Sequence, residues 1–133
     1  MPLAHQFSIF LDNRPGSLAR VCKIMAISRV NIVALSVPET VGQGILRLVV
    51  DDPGRARSIL KKEGLTFGDA EVLAVEMTNR PGAVADFAHD LAKADVNIQY
   101  AYGSAGTRGS NAVVIFHVDK AMRAQKIAQA RLY

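Results

Sequence analysis

The chain has one cysteine, no tryptophan and only 6% aromatic residues among 133. A lone Cys22 forms no internal disulfide and cannot by itself supply a zinc or iron–sulfur site; within an apolar helical pattern it reads as a small core residue. His5, His89 and His117 are not at metal-ligand spacings, and His117 reads as a packed residue or one lining a sheet face. Glycines 42, 44, 103, 106 and 109 match neither the dinucleotide nor the P-loop pattern and read as hairpin turns. Ser17, Ser104 and Ser110 have no His and carboxylate in a triad arrangement, so hydrolase chemistry is unsupported and no catalytic set is visible. No cofactor is expected, and the chain is read as not an enzyme. No apolar run approaches the ~18 residues of a membrane span. The start, MPLAHQFSIF, lacks a basic region followed by an apolar run and a small-residue cleavage site, so a reducing, cytoplasmic location is expected. The net charge of +4 is mild and scattered, apart from a loose group at Lys120, Arg123, Lys126 and Arg131; it is a weak pointer to nucleic acid.

What is abundant is aliphatic. Half the residues are hydrophobic, and Leu, Ile, Val and Ala dominate them, which suits a globular core stabilised by ordinary apolar burial at ~25 cal/mol per Å².

The chain also repeats itself. LDNRPGSLARV at 11–21 returns as MTNRPGAVADF at 77–87, and the spacing of 66 residues holds again between the Val-Asn-Ile ending at Ile32 and that ending at Ile98. From Leu11 to Ile32 against Met77 to Ile98, Asn, Arg, Pro, Gly, two Ala, Val, Asn and Ile coincide, which marks a duplication. Each copy parses by its periods. Phe7, Ile9 and Leu11 alternate with Ser8 and Phe10, and Leu73, Val75 and Met77 with Ala74 and Glu76, as in strands covered on one face. Leu18, Val21, Cys22 and Met25, and Val84, Phe87, Ala88 and Leu91, fall at i, i+3, i+4 and i+7, predicting helices. Second strands are predicted at about 31–37 and 97–102, third strands at 44–50 and 112–118. Asp51 or Asp52 with Pro53 reads as a helix start, and Lys61, Lys62 and Gly64 as its end. A short strand at Leu65 to Phe67 closes copy one; copy two stops inside its last helix, at Tyr133, without that strand.

The order is strand, helix, strand, strand, helix, strand: an α+β chain of two ferredoxin-like (βαββαβ) units in tandem, with antiparallel sheets, helices on one face, and the last strand missing from copy two. The boundaries read as 1–69 and 70–133. The third strand is apolar on both faces, Leu46, Leu48 and Val50 against Ile45 and Val49, so the second face also requires cover, supplied by the other copy or another chain.

LDNRPGSLARV, VNIVALSV, GILRLVVDD, EVLAVEMTNRPGAVADF and VNIQYAYG together resemble the ACT domain, and the chain is similar to stand-alone bacterial proteins made of two ACT domains. The resemblance covers nearly the whole chain, from about Gln6 onward. It departs in the missing strand and in GSAGTRGS, which makes the second connection longer by two residues. It implies a regulatory module that binds a small amino acid or related metabolite at composite sites, each between one domain's turn and the second strand of a partner domain. The apolar second sheet face and the last strand missing from copy two predict a homodimer or higher form that completes both, and a regulated metabolic enzyme is the further partner expected.

Physical chemistry suits the turn to such a ligand. Pro15 and Pro81 are expected at the first helical position, where a missing N–H costs nothing. The amides of Gly16, Ser17 and Leu18, or of Gly82, Ala83 and Val84, are then orphans at a positive helix end and attract a carboxylate. Glycine admits close approach. Asn13, Asn79, Asn31 and Asn97 carry amide groups able to serve both ends of a zwitterion, Ile32 and Ile98 adjoin them, and Arg14 and Arg80 are secondary candidates. Ser17 against Ala83 predicts unequal sites, with copy one the tighter. Two rivals remain: an interaction module with degenerate pockets, and an RNA-binding sheet. The second is disfavoured because RGSNAVV from Arg108 places Ser110 and Ala112 where stacking rings belong. Tyr100 and Tyr102 read as walls of a ligand pocket or interface.

Overall fold

The computed structural model describes residues 3–38, 43–104 and 110–133, so the readings of Gly42, Gly106, Gly109 and Arg108 lie outside the described residues. The elements are β1 (Leu3–Leu11), α1 (Ser17–Ile27), β2 (Ile32–Ser36), β3 (Gly44–Val50), α2 (Pro53–Lys62), β4 (Phe67–Thr78), α3 (Ala83–Lys93), β5 (Ile98–Gly103), β6 (Asn111–Val118) and α4 (Ala121–Ala130). They divide into two compact units. One is His5–Ala70; the other is Glu71–Tyr133 together with the first residues of the chain, of which Leu3 and Ala4 are described.

In the N-terminal unit β3 pairs antiparallel with both β1 and β2, setting Leu48 beside Phe7 on one side and Leu35 on the other. The Phe10 N–H donates to the Thr66 carbonyl at 3.0 Å, so the chain leaving α2 returns alongside β1. The alternating residues Phe7, Ile9, Leu11, Leu46, Leu48 and Val50 share one core with Val21 and Met25 of α1 and Ala56 and Leu60 of α2. Both helices therefore cover the same sheet face. The Asp52 side chain accepts the Arg55 N–H at 3.1 Å and Pro53 opens α2, a cap worth about 1 kcal/mol. At its other end Gly64 takes φ 68°, and the N–H of Leu65 reaches back to the Leu60 carbonyl at 3.1 Å, closing the helix as a left-handed glycine cap does.

The C-terminal unit repeats the plan, with β6 between β4 and β5. Leu73, Val75 and Met77 meet Phe87 and Leu91 of α3, Phe116 and Val118 of β6 and Ala124 of α4. Leu3 also packs against this core.

Three expectations need correction. The short strand expected at Leu65 to Phe67 is not a separate element: Phe67 opens β4, which continues through Gly68 and Asp69 to Thr78 and so includes the strand that opens copy two. Copy two does not stop inside a helix: α4 ends at Ala130, Arg131 is extended at φ −156°, and Tyr133 turns into the core at 4% exposure. The prolines do not occupy the first helical position. Helices α1 and α3 begin at Ser17 and Ala83, after left-handed Gly16 and Gly82, both at φ 91°.

Candidate ligand site at the Arg-Pro-Gly turn

The backbone of the repeated turn follows from its residues. Ser17 N–H approaches the Arg14 carbonyl at 3.4 Å, with Pro15 and then Gly16 (φ 91°, ψ −11°) between them. That is a type II turn, which needs proline's fixed φ at its second position and glycine's positive φ at its third. Ala83, Arg80, Pro81 and Gly82 repeat it at 3.4 Å. One step earlier the Arg14 N–H bonds the Asp12 carbonyl at 2.9 Å and the Arg80 N–H that of Thr78 at 2.8 Å, giving three-residue turns centred on Asn13 and Asn79. The strand starts are also built twice. Asn31 N–H donates to Asp51 Oδ1 and Asn97 N–H to Asp119 Oδ1, each at 2.9 Å, so these main-chain donors hold the sheet together.

In the N-terminal unit the turn opens onto a cleft of about 300 Å³. Arg14, Pro15, Gly16 and Ser17 line it with Asp12 and Arg20, over an apolar floor of Phe10, Leu11, Val21 and Leu65. The charged groups are exposed and loosely held. Arg14 lies 3.2 Å from Asp12, and Arg20 lies 3.9 Å from Glu63, contacts of a kind that contributes little to stability. The arrangement offers cations and a polar helix start to a carboxylate, an anion to an ammonium group, and an apolar surface to a side-chain stem.

Not every expected residue comes to this cleft. Asn13, Leu18, Asn31 and Ile32 do not line it. Leu18 and Val84, expected on the buried helix face, are exposed, because the helices start at the rim of the sheet. Ile32 and Ile98 are half-buried against their own cores. Asp12, Arg20, Phe10 and Leu65 join the cleft without having been singled out.

The second turn keeps the backbone and changes the side chains. Ala83 is 3% exposed and part of the core. Arg80 folds back, donating to Asp86 at 3.0 Å and to the Pro81 carbonyl at 3.2 Å. Arg131 lies 3.7 Å from the same Asp86 carboxylate and 3.3 Å from Asp90. Phe87 and Tyr133 meet edge to face at 4.8 Å, the Tyr133 hydroxyl donates to Asp90 at 2.5 Å, and its carbonyl accepts the Thr78 N–H at 3.3 Å. Burial first, and the bond to Asp90 second, push the Tyr133 phenol up to about 12. The same bond, as its largest cause, holds the Asp90 carboxyl below its usual range. Position for position, Val21, Leu65 and Arg20 of the open cleft correspond to Phe87, Tyr133 and Asp86.

A duplicated turn on a βαββαβ core accords with one family model, that of the ACT domain pair, which matches residues 2–132. The chain belongs to that family. Among solved structures, a protein of Bacteroides thetaiotaomicron is 31% identical, covering 96% of this chain and 87% of its own, with a TM-score of 0.86. The regulatory subunit of aspartate kinase from Thermus thermophilus is 15% identical, with 95% and 91% covered and a TM-score of 0.68. That from Thermus flavus is 17% identical, with 97% and 92% covered and a TM-score of 0.62. Comparison with curated proteins gave no match.

Elsewhere in this ACT pair, Tyr100 stacks on His117 at 4.7 Å and 4°, and Tyr102 follows at 6.5 Å and 11°. The register sets these residues beside Ile115, on the face away from Phe116 and the helices. Their ring faces are turned toward one another, which does not suit an open platform for bases. Among the described residues no group of three or more His, Cys, Asp or Glu could hold a metal ion, and no helix is long and apolar enough to cross a membrane.

Proposed function

We propose that this ACT pair is a non-catalytic regulatory protein of the cytoplasm that binds a small amino acid, or a related metabolite, at the N-terminal turn. The observation that carries the reading is the cleft bounded by Asp12, Arg14, Gly16, Ser17 and Arg20 above an apolar floor. An α-carboxylate placed against Arg14 and the start of α1 gains charge-assisted hydrogen bonds and the positive helix end. An ammonium placed against Asp12 completes the zwitterion. Family membership supports a regulatory role, and the fold is shared with regulatory subunits of aspartate kinase; the partner we propose is a metabolic enzyme whose activity follows the occupancy of this cleft. Ligand shifts that enzyme's state only by its differential affinity for the two states.

The two turns are unequal in this reading: the N-terminal one binds, and the C-terminal one serves packing, since Arg80, Asp86, Arg131 and Tyr133 engage one another. A thermal-shift screen of amino acids, followed by calorimetry on Arg14→Ala and Arg80→Ala, tests this. A ligand at a hundred times its Kd should add about 2.7 kcal/mol to stability by mass action. Arg14→Ala should weaken binding and Arg80→Ala should not. Equal losses would refute the asymmetry, and no binding by the parent protein would favour an interaction module.

A homodimer is part of the proposal. Edge strand β2 exposes Val33 and Leu35, and Val37 just beyond it is exposed too, where the corresponding positions of β5 are Gln99, Ala101 and Gly103. An apolar edge invites a second copy. The Asn31 or Asn97 strand start of the partner chain would then supply the other half of a composite site.

A further inference from the structure

We propose that the N-terminal cleft selects an amino acid with an acidic side chain, and that Arg20 is the residue that reads it; this rests on the reading of the cleft as an amino-acid site. The charges lining the cleft are two guanidinium groups, Arg14 and Arg20, and one carboxylate, Asp12. A zwitterion with a neutral side chain uses one cation and the anion. It leaves the second guanidinium, whose acidic neighbour Glu63 stands 3.9 Å away and does not line the cleft, to be covered by ligand with no partner inside the cleft, which is costly for a charge losing water. An acidic amino acid carries two carboxylates and one ammonium, and its charges match the lining group for group. A basic side chain would instead bring a further cation beside Arg20.

The second copy provides an independent comparison within the same chain. Where the N-terminal unit has Arg20, the C-terminal unit has Asp86, and that carboxylate is what the turn arginine Arg80 holds at 3.0 Å. A carboxylate at this place therefore suits the turn. In the N-terminal copy the internal carboxylate is replaced by a cation whose nearest acid, Glu63, stands 3.9 Å away. The cleft thus has two cationic groups where its twin has a satisfied pair, and a ligand bearing two carboxylates restores the balance. The floor residues Phe10 and Leu65 suit the short methylene stem between them.

Calorimetry on the full chain with aspartate against asparagine, glutamate against glutamine, and alanine, lysine and succinate tests the inference. At least one acid should bind about tenfold or more tightly than its amide. Arg20→Gln should abolish that preference while amide binding persists, and Arg20→Lys should retain part of it. Binding of asparagine or glutamine as tight as that of the acids would overturn the acidic selectivity and leave the amino-acid site standing. Binding of succinate as tight as that of aspartate would show a general dianion site and overturn the inference. An Arg20→Gln protein that keeps its full preference would overturn the role of Arg20, and no binding of any amino acid would overturn both readings.

Discussion

Replacing Tyr133 with Phe removes one oxygen from a ring that is 4% exposed and leaves the ring itself in place against Phe87. The hydroxyl's bond to Asp90 measures 2.5 Å, and burial together with that bond raises the phenol from 10.0 to about 12. Burial, the larger cause of that rise, acts against the phenolate and adds nothing for the neutral phenol. A hydrogen bond to a charged group contributes about 1.5–3 kcal/mol, and that is the expected loss on Tyr133→Phe at neutral pH.

The pH dependence distinguishes this bond from simple packing. Tyr133 has its pKa raised by folding, so its contribution is complete below pH 10 and is lost as pH climbs toward 12. Asp90 has its pKa lowered, chiefly by Tyr133, so its contribution is complete above the ordinary carboxylate range and is lost as pH falls through the folded value. Urea denaturation of both proteins from pH 3 to 11 should show a difference that is flat between about pH 5 and 9 and shrinks at both ends. A difference under about 0.5 kcal/mol at pH 7, or one independent of pH, would refute the argument.

Gly16→Ala should cost about 1–2 kcal/mol through its φ of 91° alone, because a Cβ there meets nothing within 4 Å. Gly16→Asp should cost the same stability but also repel a carboxylate from the cleft; equal ligand affinity for the two variants would show that the carboxylate docks elsewhere. Leu35→Lys, on an edge residue that is 42% exposed, should convert a dimer to a monomer by light scattering at micromolar concentration. A parent protein that is already monomeric would remove the dimer from the proposal.

The tandem βαββαβ plan was legible in the sequence because both of its signals are periodic and both occur twice. Phe7, Ile9 and Leu11 alternate, Val21 and Met25 sit one turn apart, and each has a counterpart 66 residues later. The start of α2 was legible to within one residue, Asp51 or Asp52 before Pro53, and the cap is Asp52. Turn geometry was only half legible. Pro-Gly announces a turn, but whether proline begins the helix or glycine caps it depends on the φ of Gly16, which composition does not state. The cleft was less legible still. Asp12 and Arg20 differ between the copies, so a search for what repeats passes over them, although a comparison of what does not repeat would have found them. Tyr133 went unread because its partners Phe87 and Asp90 lie more than 40 residues away, beyond any local period.

That contrast between repeated backbone and unrepeated side chains bears on how a duplicated domain divides its labour. Gly16 and Gly82 share φ 91°, and the turn bonds Ser17 to Arg14 and Ala83 to Arg80 share 3.4 Å, so the main chain does not decide which copy is open. Volume and charge do. Val21 and Leu65 leave a cleft, whereas Phe87 and Tyr133 at the same positions bring two rings into edge-to-face contact, worth about 0.5–1.5 kcal/mol beyond the area they bury. Arg20 adds a second cation, whereas Asp86 neutralises Arg80. Each substitution that closes the C-terminal turn also adds a contact to the core or an ion pair to the surface, so closure stabilises that unit. The N-terminal copy lacks those contacts and leaves its arginines exposed, which accords with the proposed use of its open cleft as the binding site.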